Sequence, residues 1–142
     1  MRFGKWIYEK SIKSMRKKAK LISDTIEVEG YKISYLKSII EDRKSLIFIH
    51  GCDGSKDDWL ILAKHLTNRY NLIMIDFLGC GDSSKVLEFD YSLTSQALLL
   101  EKIIEQITIH LGIANTHYVG FHQVVPYLSF YPINYPLRSS SF

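Results

Sequence analysis

The sequence predicts an α/β fold: an antiparallel hairpin followed by three parallel strands with two flanking helices. Three observations predict it. Apolar and polar residues alternate over 25–36; two short runs, Leu46–Ile49 and Leu72–Ile75, are continuously apolar; and helical spacing of apolar residues separates and follows those runs. The chain has 142 residues, 46% hydrophobic and 23% charged, which fits one ordinary domain and excludes a disordered or collagen-like protein. No apolar run approaches the roughly 18–20 residues needed to span a bilayer.

Residues 1–22 read as a basic, partly helical lead-in in which Phe3, Trp6, Ile7, Ile12 and Met15 are scattered. Their spacing gives a weak amphipathic signal, and two readings stand: a solvated, loosely packed arm, or a membrane-surface anchor through Trp6 and the lysines. Lys10, Lys13 and the run Arg16–Lys18 interrupt any hydrophobic core that a secretory signal would need.

From Asp24 the pattern becomes regular. Thr25–Val28 and Tyr31–Leu36 alternate around Glu29-Gly30, as an antiparallel hairpin does. Leu46–Ile49 is short and wholly apolar, the mark of a strand buried on both faces, and Leu72–Ile75 is a second such strand. Between them, Asp57 or Asp58 can cap a helix reaching about Leu66, with Trp59, Leu62, Ala63 and Leu66 on its inner side. Ser92 or Thr94 starts a longer helix to about Leu111, whose core stripe is Leu98, Leu99, Ile103, Ile107 and Leu111, and Gly112 ends it. His117–Gly120 opens a third buried strand. Strand–helix–strand–helix–strand from residue 46 onward implies a parallel arrangement.

After Gly120 the composition changes. All three prolines (Pro126, Pro132, Pro136) and six of eighteen aromatics fall in the last 22 residues, which contain no acid and one base, Arg138. Proline at that density forbids a regular helix and breaks a central strand. The chain contains no internal repeats.

Charge is unevenly placed. Residues 1–20 carry eight Lys/Arg and one Glu, a net +7 in a chain whose total is +3, so the rest is at −4. A mildly acidic body argues against nucleic-acid binding. Two cysteines, Cys52 and Cys80, supply neither a disulfide framework nor a zinc pattern, and are expected as small buried apolar residues in a reducing, cytoplasmic setting. No metal or organic cofactor is expected.

Both apolar strands end in glycine-containing turns: His50-Gly51-Cys52-Asp53-Gly54, and Asp76-Phe-Leu-Gly79-Cys-Gly81-Asp-Ser83. Together with Lys56-Asp-Asp-Trp59 and His117-Tyr-Val-Gly120, these resemble the α/β-hydrolase family, in its esterase and monoacylglycerol-lipase-like branch, over roughly residues 24–120. The resemblance implies a partial α/β-hydrolase sheet, truncated before the family's C-terminal half. It divides the chain into a basic arm (1–22), the N-terminal half of a hydrolase domain (23–120) and a tail (121–142).

Site roles follow from the same resemblance. The backbone N–H of Cys52, after the His-Gly pair, would help hold the oxyanion of a tetrahedral intermediate. His50 would be structural, with an ordinary strand-end histidine as the alternative. Gly51, Gly79 and Gly81 would permit tight turns. Asp76 would organise its loop rather than serve as catalytic acid, and Ser83 and Gly120 complete the motifs. A nucleophilic Cys52 would need a depressed pKa and a paired base.

The family's nucleophile sits on a strained G-x-S-x-G turn directly after the third parallel strand. Here Gly120 is followed by Phe121-His122-Gln123-Val124-Val125, so His122 occupies the nucleophile position and valines stand where glycines tolerate positive φ. An acid and base that should follow are missing. The codons for Phe-His-Gln-Val-Val, displaced by two bases, can read Ser-Ser-Gly-Gly, which recreates G-x-S-S-G-G after Gly120. The tail is therefore expected to be out of frame.

The expected function is that of a truncated serine-hydrolase-like protein, derived from an enzyme of carboxylic esters or lipids and inactive alone. Residual catalysis by His122 is a conceivable exception. Alternatively, the chain is a non-catalytic assembly module whose open sheet edge at Tyr118 and Val119 pairs with a separate C-terminal half or a second copy. Contact with a membrane surface through residues 1–20 is a third expectation.

Overall fold

A computed structural model describes residues 2–120. Its elements run α1 (Arg2–Lys18), β1 (Ile22–Val28), β2 (Tyr31–Ser38), β3 (Ser45–Ile49), a 3-10 turn (Lys56–Trp59) leading into α2 (Leu60–Leu66), β4 (Asn71–Ile75), α3 (Leu93–Leu111) and β5 (Thr116–Gly120). The five strands form one mixed sheet in the order β1-β2-β4-β3-β5. The β1–β2 hairpin joins β4 antiparallel through Tyr35↔Ile75 to Ser38↔Leu72, whereas β3 pairs in parallel with both β4 and β5.

The continuous apolar runs are explained by cover on both faces. Ile47, Ile49, Ile73 and Ile75 face α3, where Leu99, Leu100, Ile103, Ile104 and Ile107 are buried with them. Phe48, Leu72 and Met74 face the other way, against Leu60 and Ala63 of α2, with Ile12 and Met15 of α1 at the margin. Successive strand residues point to opposite faces, so both faces must be apolar.

Five expectations are corrected. The lead-in is not a loose arm: α1 is a continuous helix whose C-terminal half packs on the sheet. Its stop is a left-handed Lys20 (φ 55°), with Leu21 N–H donating to Arg16 O and Lys20 N–H to Lys17 O, and with Leu21 buried beyond it. The cap of the second helical segment is Ser55, not Asp57 or Asp58. Its hydroxyl accepts the Asp57 N–H, and the Asp58 carboxylate accepts the Ser55 N–H in return. Leu60 rather than Leu62 is on the inner side, because the 3-10 turn rotates the helix that follows it. On α3, Leu98 is exposed and Leu100 and Ile104 are buried instead. Finally, β5 is only partly covered, since it stands at the end of the strand order among the described residues. Tail residues 121–142, including His122, lie outside the described residues.

Candidate active-site loops

The loops after β3 and β4 lie side by side because β3 and β4 are parallel neighbours, with both carboxyl ends on one edge. His50, the first residue after β3, is fully buried. Its Nε2 accepts the Phe77 backbone N–H at 3.1 Å, and its Nδ1 lies 2.8 Å from the Gly51 carbonyl. An N–H donating to Nε2 assigns the ring proton to Nδ1, which donates to Gly51 O. The imidazole also packs on the Phe77 ring at 4.4 Å. The His50 side chain thus joins the two loops and has no nitrogen left for proton transfer.

The first loop turns through Gly51–Gly54, where Gly54 N–H donates to Gly51 O at 3.1 Å and Asp53 adopts φ 59°. Cys52 is exposed on this turn, and its backbone N–H makes no hydrogen bond with any described residue. This corrects the expectation of two buried cysteines: the turn lifts Cys52 off the sheet, and Cys80 is half-buried. Burial, aided by the nearby Asp76 charge, raises the Cys80 thiol above its ordinary pKa, which disfavours the thiolate there.

Asp76, the first residue after β4, is fully buried and engaged by three donors. Oδ1 accepts the Lys56 N–H at 2.7 Å; Oδ2 accepts Lys56 Nζ at 2.5 Å and the Asp82 N–H at 2.9 Å. Lys56 Nζ also donates to Asp82 Oδ2 at 2.7 Å, and that bond holds the Asp82 carboxyl below its ordinary pKa. A buried lysine is tolerable only with such compensation. Outside it, Arg16 of α1 makes a bidentate pair with Asp57 at 2.7 and 2.6 Å, which raises the pKa of the guanidinium.

The second loop is folded tightly on this network. Gly81 has φ 50°, and an added Cβ would lie 2.1 Å from Asp76 Oδ2, so only glycine fits there. Gly79 (φ 85°) is close against the Tyr91 ring. Ser83 Oγ donates to the Asp76 carbonyl and accepts the Ser34 N–H, both at 2.9 Å, while Ser84 N–H donates to Lys32 O. Gly120 ends β5 opposite Ile49, bringing the third strand end to the same edge.

Sequence reasoning missed Lys56, Asp82 and Arg16 as members of this network. Their types are those of solvated surface charges, and the pairing joins residues 20 to 41 positions apart. The Ser55-x-x-Asp58 capping box was a readable local signal for the turn that buries Lys56. Among the described residues no group of three or more His, Cys, Asp or Glu is placed to hold a metal ion.

This arrangement has matches among known proteins. The sequence profile of the alpha/beta hydrolase fold matches residues 44–121. Lipase 3 of Moraxella sp. (strain TA144) is 31% identical over 130 residues, covering 87% of this chain and 40% of that lipase. Lipase 1 of Psychrobacter immobilis is also 31% identical, over 87% of this chain and 39% of its own. Among solved structures, the Lip1 protein of Acinetobacter baumannii AYE superposes with a TM-score of 0.79 at 27% identity, over 89% of this chain and 42% of that one. A bacterial membrane phospholipase A does so with a TM-score of 0.73 at 29% identity, over 82% and 36%. The chain belongs to the alpha/beta hydrolase fold family, and its sheet is a partial version of that fold. It spans about 40% of the length of the lipases it matches.

Proposed function

We propose that the chain is the front portion of a carboxylic-ester hydrolase for lipid-like substrates: it carries the oxyanion-side loops, contributes no nucleophile, and is inactive on its own. The observations that carry this reading are the coupling of the two strand-end loops by His50 Nε2 and Phe77 N–H, and beside it a Cys52 N–H that no described residue engages. In that position a backbone N–H can stabilise charge developing on an acyl oxygen. His50 and Asp76 act as positioning residues. Gly51, Gly79 and Gly81 supply the turns, and Ser83 fastens the second loop. The lipase relatives supply the substrate class, an ester or lipid-like small molecule. Two free cysteines favour a reducing compartment, the cytoplasm.

Residues 121–142 are read as out of frame, and sequencing the locus tests this: a displaced frame lacking a hydrolase C-terminal half overturns it. The activity reading is tested with a short-chain p-nitrophenyl ester. The expected result is no turnover above buffer for the chain and for His122→Ala alike. Turnover abolished by His122→Ala overturns the proposal.

A second reading, an assembly module, is favoured by β5, which among the described residues ends the strand order and whose buried Tyr118 hydroxyl finds no partner among them. Pairing of that edge with a separate C-terminal half or a second copy would cover it. Under this reading, the apparent mass in size-exclusion chromatography falls on tenfold dilution. A compact monomer at both concentrations, with no gain on adding a C-terminal half, rejects it.

A further inference from the structure

The residues of α1 divide into two stripes that a count of apolar spacing merged. Ile12, Met15 and Arg16 lie on the face that meets the domain, where the first two pack on the apolar cluster and Arg16 clamps Asp57. On the opposite face stand Phe3, Trp6 and Ile7, one helical turn apart, all about half or more exposed (73%, 54% and 48%). Lys10, Lys13 and Lys17 follow on that same face and are exposed. Phe3 and Trp6 stack with ring centroids 6.1 Å apart, and Lys10 Nζ sits 4.9 Å from the Trp6 ring centre.

Three large apolar side chains in solvent cost free energy unless something covers them. The charge around them selects what that is. Residues 1–20 carry a net +7 while the rest of the chain is at −4, so the helix is polarised against its own domain. Aromatic residues with flanking lysines are suited to the boundary between lipid headgroups and acyl chains. The rings enter it, and the lysine stems lie along it with their ammonium groups at anionic headgroups. The clamp at Arg16–Asp57 fixes the other end of the helix, so its orientation on the domain is set before any contact. Among the described residues no helix is long and apolar enough to cross a membrane, so the contact is with the surface.

We propose that the outward face of α1, formed by Phe3, Trp6 and Ile7 with Lys10, Lys13 and Lys17, docks on an anionic lipid surface. The test is flotation of the full chain with phosphatidylcholine vesicles, with and without about one-third phosphatidylserine. Binding is expected to be at least about tenfold stronger on the anionic vesicles and to weaken at high salt. The triple variant Phe3→Ala/Trp6→Ala/Ile7→Ala, which alters only exposed side chains, is expected to lose about tenfold or more on the same vesicles. Lys10→Glu/Lys13→Glu is expected to lose the preference for phosphatidylserine. Circular dichroism checks that both variants stay folded. No binding by the parent chain, or undiminished binding by the triple variant, overturns the proposal. A change in oligomeric state caused by the triple variant without vesicles also overturns it, in favour of a second copy as the occupant.

Discussion

Lys56 Nζ lies 2.5 Å from Asp76 Oδ2, with no solvent reaching either side chain. The pair binds the turn that opens α2 to the loop that follows β4, so the positions of both strand-end loops depend on one buried ion pair. Removing Lys56 leaves the buried Asp76 carboxylate with neither water nor a counter-ion, and removing Asp76 leaves Lys56 with the Asp82 carboxylate alone.

Lys56→Met is therefore expected to destabilise the chain by about 3–5 kcal/mol, the range for breaking a buried pair. Urea denaturation measures it. The double variant Lys56→Met/Asp76→Asn is expected to recover part of the loss, because no uncompensated charge then remains at position 76.

Gly81→Ala places a Cβ 2.1 Å from Asp76 Oδ2 on a backbone with φ 50°. The expected cost is about 2 kcal/mol or more, from steric overlap added to left-handed strain. In a double-mutant cycle with Asp76→Ala the penalty shrinks. An unchanged penalty would place the strain in the backbone alone.

Tyr35 is buried in β2 and donates to Asp24 Oδ2 at 3.2 Å, an oxygen that also accepts Lys37 Nζ at 2.5 Å. Burial first, and the Asp24 charge second, push its hydroxyl up from 10.0 to about 12. The folded state keeps this proton at a pH where the unfolded chain releases it. Its contribution to stability is present in full below pH 10 and is lost as pH rises through about 12. Tyr35→Phe is expected to lower Tm at neutral pH but to flatten the fall in Tm above about pH 10, read by thermal melts across the alkaline range.

Lys20 holds φ 55° at the end of α1, a conformation that costs a side-chain-bearing residue about 1–2 kcal/mol. Lys20→Gly is expected to raise stability by roughly 0.5–1 kcal/mol after the added freedom of the unfolded chain is counted. A drop in Tm would mean that the Lys20 Nζ contact with Asn68 Oδ1 at 3.5 Å matters more than the backbone.

The same two helix ends show what the sequence made legible. Both α1 and α3 close with a left-handed residue and the same pair of backbone hydrogen bonds, Leu21 N–H to Arg16 O and Ile113 N–H to Thr108 O spanning more of the chain than their companions. Gly112 announces its conformation and Lys20 does not, so one boundary was readable and the other was not. The hairpin, β3 and β4 were readable because periodicity and burial are local consequences of side-chain alternation. The glycines of the two loops were readable as turns. That His50 reaches across to Phe77, and that Lys56 turns inward to Asp76, depends on register between strands 20 or more residues apart, which no local pattern encodes.

Ser83 and Ser84 lay the loop after β4 along the backbone of β2, through Ser34 and Lys32. The amino-terminal ribbon is thus the bed on which a distant segment rests. A shortened version that began at the parallel strands would lose Val28, Ile33, Tyr35 and Leu36 from its hydrophobic interior and leave residues 76–84 without the rail that shapes them. Minimisation or domain-grafting of this scaffold has to carry the ribbon along.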